Sequence, residues 1–62
     1  MYRKLIGKRN ELGLNQEQMA EKLGISKNNY CLKEQGKLDF NLTEVKKILE
    51  IFKCEYNDIF LD

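Results

Sequence analysis

The sequence predicts an all-α protein, with five short helices closing on one core. Three observations carry this. The 62 residues include no proline to break a helix. Apolar residues recur at three- and four-residue steps along most of the chain. No segment of the chain reads as a strand. The length suits a single domain, taken as residues 1–62. So short a chain buries only about 60% of the surface its unfolded form exposes, so its core is small. A hydrophobic share of 42% beside 34% charged residues fits a folded soluble domain and not a disordered tail.

The first helix follows from Tyr2, Leu5, Ile6 and Arg9, which fall on one face, and Gly13 is its expected stop. Asn15 is the expected N-cap of a second helix, because its side chain can accept from the free amides of the next turn. That helix turns Met19, Ala20 and Leu23 inward. After Gly24 and Ile25, Ser26 is the expected cap of a third helix running to about Gln35, with Gly36 ending it. Leu38 and Phe40 anchor the loop that follows. Asn41 or Thr43 starts a fourth helix with Leu42, Val45, Ile48, Leu49 and Phe52 on its inner side. A short fifth helix runs through Tyr56, Ile59 and Phe60.

Charge is unevenly spread along the chain. Residues 1–37 carry a net +4 and residues 38–62 a net −3, within an overall +1. A polyanion is attracted to the first part and not the second. No apolar run approaches the roughly 20 residues that cross a bilayer, and no secretory leader is recognisable, so a cytoplasmic protein without membrane contact is expected. With no histidine and two isolated cysteines, Cys31 and Cys54, there is no metal-ligand pattern and no nucleophile–base pair. Enzymatic activity, a cofactor and a small-molecule ligand are not expected. The two cysteines read as free thiols.

Only Gly24, Ile25 and Ser26 separate the second and third helices, which forces a sharp crossing. Ala20 is small where the third helix must approach, and Ile25 and Tyr30 plug the angle. The string "MAEKLGI" followed by an apolar residue five on is a helix-turn-helix pattern. With "LGLNQEQMAEKLGISKNN" and "EQGK", the chain resembles the Cro/repressor (XRE-type) DNA-binding domains of bacteria and their phages, from Leu5 to Phe60. The resemblance implies a compact five-helix, lambda-repressor-like domain. It also implies binding to a double-stranded operator, usually as a homodimer. With no second domain after Phe60, the expected likeness is to small Cro-like, phage-type repressors, and the dimer must come from the domain itself. The family's matching positions place that contact around the loop before the fourth helix and at the last helix. Phe40, Phe60 and Leu61 are candidates there, and equally candidates for the core.

With Tyr30 inward, the 100° step of a helix puts Asn28 and Leu32 nearly opposite, flanked by Lys27, Asn29 and Cys31. Lys27, Asn28 and Leu32 are therefore the candidate base readers. Lys27 suits guanine O6/N7 and Asn28 suits adenine N6/N7. Leu32 can offer only apolar contact, best suited to a thymine methyl. It departs from the longer polar side chains common at this position, and a core-rim or protein-contact role stays open. Gln16, Asn29 and Lys37 are the candidate phosphate contacts, Gln16 because it heads the second helix, where free amides and the dipole favour an anion. The resemblance also implies that Arg9 pairs with Glu34. Lys33 stands where the family usually has an apolar residue. Its stem can lie along the core and send its ammonium to water or a carboxylate. A second reading stays open as well: a protein-interaction module, such as an antitoxin or anti-repressor, on the same fold.

Overall fold

The computed structural model describes residues 1–61. It is all-helical: α1 (Arg3–Glu11), α2 (Gln16–Leu23), α3 (Lys27–Glu34), α4 (Leu42–Phe52) and α5 (Tyr56–Phe60), with no strand among the described residues. Leu5, Met19, Ala20, Leu23, Tyr30, Ile48, Phe52, Ile59 and Phe60 form the buried core, so every helix contributes to it.

Local chemistry sets the helix ends. Asn15 accepts from the Gln18 amide at 2.8 Å while the Gln18 side chain accepts from the Asn15 amide at 2.9 Å, a reciprocal cap on α2. Asn41 and Glu44 cap α4 in the same way, at 2.8 and 3.0 Å. The Ser26 hydroxyl caps α3 by accepting from the Asn29 amide at 3.1 Å. Gly24 ends α2 at φ 73°, a left-handed conformation that a side chain would strain. The Ile25 amide then donates back to the Ala20 carbonyl at 3.0 Å, closing the turn. Ala20, with almost no exposed surface, lets α3 approach, and α2 and α3 are the most closely packed pair of helices.

The structure corrects several expectations about which side chains face inward. Leu42 is 70% exposed; it is the first residue of α4 and lies beyond the core. Buried on the same turn is Glu44, held by the cap and by Lys33. Leu38 is exposed and does not anchor its loop, whereas Phe40 is half-buried. Phe40 and Phe60 pack with Tyr2 in one aromatic cluster, with centroids 5.4–5.7 Å apart. Phe60 is therefore a core residue and gives a partner no surface, while Leu61 is exposed.

Candidate nucleic-acid interface

The Ser26 cap and the Gly24 turn present the first turn of α3 to solvent. Lys27, Asn28 and Asn29 are all exposed there. Leu32, one turn on from Asn28, is half-buried but is not among the side chains that pack against the core. Tyr30, on the other side of α3, has no exposed surface. The face with Lys27, Asn28 and Leu32 is thus distinct from the face that holds the domain together. Lys37 is exposed just past the end of α3, where its own amide donates to the Leu32 carbonyl at 2.9 Å.

Behind this face lies a buried polar network. Arg9 of α1 donates from Nε to Glu34 Oε2 at 2.9 Å, and a second guanidinium nitrogen reaches Oε1 at 3.4 Å. Its third nitrogen donates to the Leu14 carbonyl at 2.7 Å. A fork-to-fork pair of this kind fixes direction as well as distance, so α3 is locked to α1 and to the loop before α2. Tyr30 feels this pair: burial first, then the Glu34 carboxylate, push its phenol far above the ordinary range. Its hydroxyl makes no well-formed hydrogen bond, although it lies beside the Glu34 carboxylate and the Arg9 guanidinium.

Gln16 does not stand free at the head of α2 as its position suggests. Its Nε2 donates to Glu34 Oε1 at 3.1 Å, and its Oε1 accepts from the Cys31 thiol at 3.0 Å. The side chain is half-buried and held by two residues of α3. One carboxamide hydrogen remains, beside the Gln16 and Glu17 amides that the helix itself leaves unsatisfied. An open depression of about 350 Å³, lined by Arg9, Asn15, Gln16, Glu17 and Lys27, lies at this point. Gln16 and Lys27 thus meet in one concavity. Lys37 and Asn29 do not line it.

Lys33 sends its ammonium to a carboxylate that sequence reasoning did not identify. Its Nζ lies 2.5–2.6 Å from both Glu44 oxygens, with both side chains largely covered. A charge counted toward the basic first part of the chain is therefore neutralised by an acid of the second. The Asn41-x-x-Glu44 capping signature was visible in the sequence. The Lys33 contact was not, because it depends on how α3 and α4 meet. The Cys31–Gln16 contact was missed for the same reason.

A larger groove, about 470 Å³, contains no residue of α3. Both of its lysines are engaged, Lys4 with the Leu61 carbonyl at 2.9 Å and Lys8 with Glu11 at 3.7 Å. Burial, aided by the Asp58 carboxylate, pushes its Cys54 thiol upward, so the thiol is not activated. The depression at the head of α2 is the better candidate, because Gln16 and Lys27 meet there beside an exposed helix face. Among the described residues, no His/Cys/Asp/Glu group could hold a metal, and no helix is long and apolar enough to cross a membrane.

A helix-turn-helix family model matches residues 5–59. No curated protein matches the chain, and no solved structure does.

Proposed function

The chain belongs to the XRE-type helix-turn-helix family of DNA-binding transcriptional regulators, and from that membership we propose that α3 reads an operator in the major groove. Lys27, Asn28 and Leu32 face the bases. Lys27 donates to guanine, Asn28 pairs with adenine, and Leu32 covers a thymine methyl. Gln16, Asn29 and Lys37 hold phosphates on either side of the groove. The observation that carries this reading is the division of α3. Tyr30 and Glu34 are buried, and Lys27, Asn28 and Asn29 are exposed. The exposed residues lie on the first turn, which is the part of a reader helix that reaches base edges.

The regulator acts as a small Cro-like repressor bound to DNA as a homodimer. Two reader helices then sit about 34 Å apart on one face of the duplex. Phe60 is core, so the dimer contact falls to exposed apolar residues near the expected region, of which Leu61 and Leu42 are examples.

The test is a gel shift against duplex fragments from the gene's own neighbourhood, over a salt series. Affinity that falls steeply as salt rises, with complexes of two chains per duplex, supports the reading. Binding that ignores salt contradicts it, because phosphate contacts release counterions. A stable protein partner without DNA binding would favour the interaction-module reading instead.

A further inference from the structure

We propose that Cys31 is a positioning residue for DNA binding: its thiol fixes the orientation in which the Gln16 carboxamide meets the DNA backbone. The inference rests on the reading of Gln16 as a phosphate contact and deepens it.

A carboxamide has two ends of nearly equal shape and opposite chemistry. The nitrogen only donates and the oxygen only accepts. A phosphate oxygen accepts, so Gln16 can hold it in one orientation and repels it in the other. At the exposed head of a helix a glutamine is free to take either. Here each end has a partner of matching polarity. The Glu34 carboxylate, an acceptor, lies 3.1 Å from Nε2, and the Cys31 thiol, a donor, lies 3.0 Å from Oε1. Turned over, Gln16 would set oxygen against carboxylate and lose the Glu34 hydrogen bond, while its N–H would face a sulfur that accepts only weakly.

Neither partner is itself loose. Glu34 is buried and clamped by Arg9 at 2.9 Å, and Cys31 is half-buried on the same helix, one turn before Gln35. The Gln16 orientation is thereby tied to α1 through Arg9 and to α3 through both hydrogen bonds. The remaining carboxamide hydrogen stays available beside the depression shared with Lys27. Cys31 thus links the phosphate contact on α2 to the seating of the helix that faces the bases. A thiol is a weak donor, so its share of the affinity is modest.

The test uses a duplex selected by the wild-type protein from a randomised library, with affinity read by fluorescence anisotropy and folding by thermal melts. Cys31→Ser keeps a donor and is expected to bind within about 2-fold of wild type. Cys31→Val fills the site with a slightly larger side chain that has no donor, and is expected to bind about 3-fold more weakly with folding intact in the melts. Adding Cys31→Val to Gln16→Ala is expected to cost nothing further. A packing role reverses the order, with valine tolerated and serine not, and that order overturns the proposal. So does an equal loss from Cys31→Val with and without Gln16, when Gln16→Ala alone weakens binding. If Gln16→Ala binds like wild type, the phosphate reading of Gln16 falls and the proposal falls with it.

Discussion

Tyr30 is the largest side chain with no exposed surface, and its hydroxyl makes no well-formed hydrogen bond, lying only beside Glu34 and Arg9. A buried hydroxyl left unpaired costs about 1–3 kcal/mol. Tyr30→Phe is therefore expected to stabilise the fold by about 1 kcal/mol in urea unfolding. It also removes an alkaline weakness. The folded phenol is raised, so it keeps its proton where the unfolded chain begins to lose it. Its ionisation costs nothing below about pH 10, and stability is lost as pH rises beyond that. In the phenylalanine variant that part of the alkaline loss should vanish. Glu34 is the opposite case. It is buried and holds both Arg9 and Gln16. Glu34→Ala leaves a guanidinium without its counter-charge, and about 3–5 kcal/mol of stability should go with it. In a domain this small, far-UV circular dichroism should show substantial unfolding.

At the level of the elements, helix starts and stops were readable because their causes are local. Asn15, Ser26 and Asn41 each satisfy an amide within three residues, and Gly24 supplies a turn no larger residue adopts easily. What the sequence could not disclose depends on how helices meet. Leu42 fits the apolar stripe of α4 by spacing, yet the core ends before it and Glu44 is buried in its place. The Arg9–Glu34 pair was legible only through resemblance, since 25 residues separate its members. The Cys31–Gln16 hydrogen bond had no signal in either composition or spacing. One helix end breaks its local rule. Lys53 closes α4 in the left-handed region at φ 53°. A side chain there costs about 1–2 kcal/mol. Lys53→Gly is expected to recover about 0.5–1 kcal/mol, after glycine's larger chain entropy is set against it. Chemical denaturation would show a higher midpoint at constant slope.

For the whole molecule, charge and shape act together. The Cα trace spans 24 × 22 × 19 Å. In the proposed homodimer, two bodies of that size side by side can bring their α3 helices to about the 34 Å repeat of one DNA turn. The overall charge of +1 is too small to drive binding, so affinity must come from where the cations sit. Lys33 is neutralised by Glu44, which leaves Lys27 and Lys37 as exposed cations flanking α3. Lys37→Ala should weaken binding to every sequence alike. In a salt series it should lower the slope of log affinity by about 0.9 for each phosphate no longer neutralised. A loss confined to one operator would instead assign Lys37 to the bases.

If the exposed first turn of α3 reads base edges, Asn28 must carry part of the sequence preference. The decisive measurement is that preference for wild type and Asn28→Ala, selected in parallel from one randomised duplex library at one salt concentration. The expected outcome is disappearance of an adenine preference at a single position in each half-site, worth about 1–3 kcal/mol, with preferences elsewhere kept. An unchanged preference profile would contradict base reading by this turn and move the reading surface elsewhere on the molecule.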